Sequence, residues 1–171
     1  MKIIFSATAL IFLMAFSVFA QQPTFNDSLL DHLAGKWILR GMIAGKQTTH
    51  DVEVEWVLNH QYLKIHETSR EKNDKKLPAY EANVYIGWDQ SSSEYACVWL
   101  DDYGNVNTQS LATAKRSGNE IPFLFKYKDG SSFHTTFAYN QKDNFWEWRM
   151  DAEQNGVMKP FARLKLTKKQ Q

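Results

Sequence analysis

Cysteine is nearly absent from this chain: Cys97 stands alone among 171 residues. No intramolecular disulfide can form, and no second thiolate is available to complete a zinc set. Set between Ala96 and Val98, with no histidine or basic residue beside it in sequence to stabilise a thiolate, Cys97 reads as a small buried apolar residue rather than a nucleophile. Glycine is also sparse, at eight residues, and the turns contain no glycine-rich phosphate loop. Net charge is missing as well. Leaving out Lys2, 19 of the 20 basic residues face 19 acidic ones, so there is no electrostatic footprint for nucleic acid or for an anionic membrane. No GxSxG elbow, HExxH helix or HxH pair occurs, which leaves no catalytic constellation and no metal set to nominate.

Long apolar runs are absent too, except at the start. Lys2 precedes "IIFSATALIFLMAFSVFA", with Val18 and Ala20 flanking a cut before Gln21. This pattern is that of a secretory signal peptide, residues 1–20, cleaved after Ala20, and it implies a periplasmic or extracellular protein. The run lacks a basic stop-transfer flank and gives way at once to "QQPTFNDS", so no membrane span is expected after cleavage. Residue 21 is Gln rather than Cys, so no lipoprotein anchor is offered. Residues 21–171 have the length of one domain. Twenty of the 24 aromatics lie in it, enough for a sizeable core.

What is present is β-rich. "NDSLLDHLAG" allows one short helix, with Asn26 or Asp27 as N-cap, Leu29, Leu30 and Leu33 on one face, and Gly35 as the stop. Beyond Gly35 the chain reads as ten short strands, "KWILRGMI" to "VMKPFARLKL", separated by turns rich in Asn, Asp, Gly and Ser. Only "EKNDKKLP", 71–78, is longer and charge-rich. Short connections join antiparallel neighbours, and closing the sheet removes exposed edges. The expected fold is an all-β, up-and-down antiparallel closed β-barrel of about ten strands with a short N-terminal helix, a two-sheet sandwich being the alternative.

Alternation assigns an interior. Val52, Val54 and Trp56 oppose Glu53 and Glu55; Phe133, Thr135 and Phe137 oppose His134 and Thr136; Trp146, Trp148 and Met150 oppose Glu147 and Arg149. In "EYACVWLDDYGN", Tyr95, Cys97, Trp99 and Asp101 share a face. An inward carboxylate at the end of such a face needs a reason: Asp101 is either a turn-starter or a rim acceptor for a largely apolar ligand. For "YLKIHETS" two assignments stay open. If Leu63 and Ile65 face inward, so does Glu67, and His66 faces out; a bulge near Asn59 would reverse them and bring His66 into the cavity. The candidate ligand-binding residues are Trp56, His66, Tyr95, Trp99, Asp101, Phe137 and Trp148.

Gly35-x-Trp37 after a short helix resembles the signature of the lipocalin and fatty-acid-binding (calycin) barrels. That resemblance implies a Trp closing the barrel floor beneath an Arg of the last strand, here Arg163. The order "LAGKW", "EWVLNHQYLKIHETS", "YIGWDQSSSEYACVWLDDYGN" and "FARLKLTK" is similar to the DUF1579 family of bacterial calycin-like proteins. Leu58-Asn59-His60 departs from that family's Leu-x-Gly turn, and Trp99-Leu100-Asp101 matches its Trp-x-Asp pattern. The expected function is binding of a small hydrophobic or amphipathic molecule inside the barrel, with no cofactor, no metal and no chemistry. Two other readings remain: an enzyme of the same fold using Asp101, Glu67 or His66, and a haem-binding barrel using His66 or His134. The sequence does not decide the oligomeric state.

Overall fold

A computed structural model describes residues 24–104 and 110–170. The expected signal segment, residues 1–20, and part of the sixth expected strand lie outside those residues. The described residues form a single helix, α1 (Ser28–Leu33), and ten strands: β1 (Gly35–Ile43), β2 (Lys46–Val57), β3 (Tyr62–Ser69), β4 (Glu81–Asp89), β5 (Glu94–Asp101), β6 (Leu111–Ala114), β7 (Glu120–Lys126), β8 (Ser132–Asn140), β9 (Phe145–Gln154) and β10 (Val157–Lys168). Each strand pairs antiparallel with the next, and β10 returns to pair with β1, so the sheet closes into an up-and-down barrel. The sandwich alternative is thereby set aside.

Asp27 starts α1 by accepting hydrogen bonds from the backbone N–H groups of Leu29 and Leu30, both at 2.9 Å. The helix then presents Leu29, Leu30 and Leu33 to one end of the barrel, where all three are buried. Just past the helix, Trp37 is fully buried, and its indole N–H donates to Leu33 O at 2.7 Å, tying strand to plug. This end is closed. Gly41 allows β1 to lie close against β10: its φ is +152°, and a Cβ there would come within 2.1 Å of Arg163 O.

The resemblance to calycin barrels placed Arg163 over Trp37, and the structure corrects this. Trp37 pairs in register with Lys168, whereas Arg163 pairs with Met42, five residues further along β1. Lys168 Nζ lies 4.4 Å from the Trp37 ring centroid and donates to Ala34 O at 3.0 Å. Arg163 instead points outward, to Asp151 and the carbonyls of Met150 and Ala162.

The turn that replaces the expected Leu-x-Gly runs left-handed through Leu58, Asn59 and His60, with φ of 51°, 56° and 63°. It shifts no register: β2 pairs with β3 without interruption from His50↔Ser69 to Val57↔Tyr62. The unbulged assignment therefore holds, with Leu63, Ile65 and Glu67 facing inward. A shift does occur in β10, between Pro160 and Ala162. Strict alternation with buried Ala162, Leu164 and Leu166 would turn Phe161 outward; the irregularity swings it to the barrel mouth, edge-on to Phe133 at 5.2 Å.

Candidate functional site: the open end of the barrel

The end opposite α1 holds a cavity of about 870 Å³ that opens to solvent. Its apolar wall includes Trp99, Phe125, Phe133, Met150 and Phe161, and its polar wall is supplied mainly by β2, β3 and the end of β5. One cross-strand row explains much of its shape. Val52 pairs with Glu67, Glu67 with Ala82, and Ala82 with Asp101. Two residues with inward carboxylates thus lie on one row two strands apart, with about 10 Å between their backbones.

Glu67 is 2% exposed, and one carboxylate oxygen meets Nδ1 of His50, which is also 2% exposed. The contact is diagonal, since His50 lies opposite Ser69, two pairs further along the same strands. His50 Nε2 is 2.7 Å from Thr48 Oγ1, and that hydroxyl donates to Glu71 Oε2 at 3.0 Å. Ser69 Oγ donates to the same carboxylate at 2.8 Å, and Thr49 N–H to its other oxygen at 3.0 Å.

These donors fix the direction of the network. Burial works against ionisation of Glu71, but the Ser69 and Thr48 hydroxyls and the Thr49 N–H outweigh it and bring the carboxyl down to about 2. An ionised Glu71 only accepts, so the single hydroxyl hydrogen of Thr48 goes to it. Thr48 must then accept from His50, which places a hydrogen on Nε2. What remains between Nδ1 and Glu67 is one shared proton. The other Glu67 oxygen, Oε2, is buried with no hydrogen-bond partner among the described residues.

Tyr80 lies over this row. Its ring centroid is 5.9 Å from that of His50 and 6.0 Å from that of Tyr103, and its hydroxyl accepts from Trp99 Nε1 at 3.0 Å. Burial, and then the negative charge of Glu67, push its phenol well above the ordinary tyrosine value. Asp101 is raised as well, by burial first and by the neighbouring Asp102, while the Tyr103 N–H opposes the shift at 3.2 Å. Asp101 starts the turn and also lines the cavity.

Of the nominated residues, Trp99 and Asp101 line this cavity. Phe137 and Trp148 face inward one layer nearer the closed end, fully buried, with Trp148 edge-on to Trp99 at 6.2 Å. Trp56 and Tyr95 belong to the closed end. The Trp56 indole N–H donates to Asp31 and its ring stacks on His60 at 4.0 Å; Tyr95 donates to Asp27 and lines a shallow pocket beside α1. Alternation chose the correct face for these two but carries no information about height in the barrel.

His66 is a correction: it points outward, 2.8 Å from Glu81, and does not line the cavity. His134 is also on the outer face, 2.7 Å from Glu153. The haem reading through either histidine is overturned, because neither faces the interior. The histidine that does face inward, His50, has both ring nitrogens engaged by Glu67 and Thr48. His50 was missed as a site residue although it continues the Val52, Val54, Trp56 face; the same two-residue step would have found it. Tyr80 and Glu71, in or beside the 71–78 loop, carried no sequence signal. Cys97 is fully buried, and that burial raises its thiol far above a reactive range. Among the described residues no cluster of three or more metal-ligating side chains occurs.

No protein-family model matches the chain, and no curated protein does.

Proposed function

We propose that this protein is an exported container that binds a small hydrophobic or amphipathic molecule in its open end. The observation that carries the reading is the cavity itself: about 870 Å³, shut at one end by α1 and Trp37, lined by aromatics and offering polar groups on one wall. Small-molecule sites have this volume and this division of labour, with apolar area supplying affinity and a few fixed polar groups supplying orientation. The resemblance to DUF1579 barrels agrees with it. Native mass spectrometry of protein purified from its own host, followed by extraction, should return a retained small molecule. A protein that retains nothing, and binds none of a panel of amphipaths, would sink the proposal. Export through residues 1–20 predicts that the periplasmic or secreted form begins at Gln21, which N-terminal sequencing reads directly.

A second reading, an enzyme of the same fold, is favoured by one observation: the buried His50–Glu67 couple holds a shared proton at the cavity wall. A histidine held by a carboxylate is suited to general acid/base work. Here it replaces the His66 first nominated. Incubating host extract with native and His50→Asn protein would test it. A metabolite consumed by the native protein alone supports an enzyme, and identical profiles remove it.

A further inference from the structure

The network of His50, Thr48, Ser69 and Glu71 has spent its donors, and Glu67 beside it keeps an acceptor. Both hydrogens of the His50 ring system are committed, the shared one to Glu67 and the Nε2 one to Thr48. The hydroxyl hydrogens of Thr48 and Ser69 go to Glu71. Glu67 lines the same cavity, nine-tenths buried and more, and its Oε2 has no donor among the described residues. An unpaired carboxylate oxygen in such a place is costly, and a ligand that brings a donor removes the cost.

Charge narrows the donor. Three carboxylates line the cavity, Glu67, Glu71 and Asp101, and the only permanent cation among its described lining residues is Lys46, exposed at the mouth. The shared proton leaves the His50–Glu67 couple net neutral, so an anionic headgroup would add a third negative charge to those of Glu71 and Asp101 on a partly desolvated wall. A cation would reduce that charge and would also face aromatic rings, whose π-faces attract it. Glu67 and Asp101, two strands apart on one row, both line the cavity and give a cation a position.

We propose that the molecule bound here is an organic amine, whose ammonium N–H donates to Glu67 Oε2 while its apolar body packs on Trp99, Phe125, Phe133 and Met150. This rests on the container reading and names its ligand class.

Decylamine, decanol and decanoate share one body and differ in headgroup, so calorimetric titration of the full chain with each separates the two claims. Decylamine should bind at least tenfold more tightly than decanol. Glu67→Gln, which keeps the shape and removes the charge, should bring the two within about threefold while leaving decanol unchanged, and unchanged decanol binding also shows that the variant is folded. Decyltrimethylammonium has the charge and no N–H. On the native protein it should bind more weakly than decylamine, a result that does not depend on any variant folding. If decylamine and decanol bind native protein equally, or the quaternary cation matches the primary amine, the ammonium–Glu67 contact is wrong and the container survives. Tightest binding of decanoate overturns the inference in favour of an anionic ligand at Lys46. Binding of none of the four overturns the container itself.

Discussion

At the closed end of the barrel, inward positions are filled by Trp37, Leu29, Leu30, Leu33 and Trp146, all buried. At the open end, the same alternation on β2 and β3 delivers His50, Thr48, Glu67 and Ser69 around an unfilled volume. The closed end is core: its groups remove apolar area from water and interlock. The open end forgoes that gain and accepts a buried histidine–carboxylate couple whose desolvation is only partly offset. Such an exchange is expected where a surface is kept for binding rather than for stability. The division is not complete, since Trp146 and Trp148 bury indole N–H groups with no partner among the described residues.

Mutations at the two ends should therefore differ in kind. The largest effect is expected from Trp37→Ala, a large-to-small change in a filled site, which should lower the unfolding free energy by about 3–5 kcal/mol. Ligand binding per folded molecule should stay unchanged, because the cavity lies at the other end. Chemical denaturation with parallel titration of decylamine measures both. A Trp37→Ala protein of native stability would mean that the closed end is not the stabilising one.

At the open end, His50→Leu leaves Glu67 buried and unpaired and should cost about 3 kcal/mol, at the low end for a broken buried pair. The double variant His50→Leu/Glu67→Met removes both charges and should regain most of that loss while abolishing any preference for an amine. If the two substitutions add instead, the pair is not coupled and the contrast between the ends weakens.

Lys168→Met removes the cation over Trp37 and should cost about 0.5–1 kcal/mol, as fits an exposed cation–π contact. In double-mutant cycles Lys168 should couple to Trp37, whereas Arg163→Ala and Trp37→Ala should simply add. Coupling of Arg163 and not Lys168 would restore the arrangement inferred from the calycin resemblance.

The smallest effect is the pH response of Glu71. Its folded carboxyl lies near 2 against an ordinary 4.5, so its contribution to stability is fully present above 4.5 and is lost as pH falls toward 2. Solvent at the mouth keeps the contribution small. Asp101 has the opposite sign: its raised carboxyl costs stability when ionised, and that cost is relieved as pH falls. Thermal melting of native and Glu71→Gln protein across this range should show a gap at neutral pH that closes on acidification. A gap that widens there would contradict the network.

Most of the architecture was readable from sequence because it depends on local rules. Strand number follows from turn chemistry between β-rich runs, and the inward face follows from a two-residue period. Trp99 and Asp101 could be placed at the cavity because they lie at the end of a strand next to its turn. Trp56 and Tyr95 could not, because the same period that gives their face is blind to position along the barrel axis. His50 was legible in principle, since the two-residue period that turns Val52, Val54 and Trp56 inward turns it inward too.

By itself, then, the sequence determined the closed antiparallel barrel, the short capped helix, the apolar inward faces and the fully buried Cys97, since each depends on a residue and its near neighbours. Tertiary structure alone decided that Lys168 rather than Arg163 covers Trp37, that Phe161 turns to the mouth, and that His50, Glu67, Thr48 and Glu71 form one network. Those outcomes depend on register between strands, on the irregularity at Pro160 and on the diagonal reach of side chains across a twisted sheet. Register is fixed only when the whole cylinder closes, so no local stretch of sequence contains it.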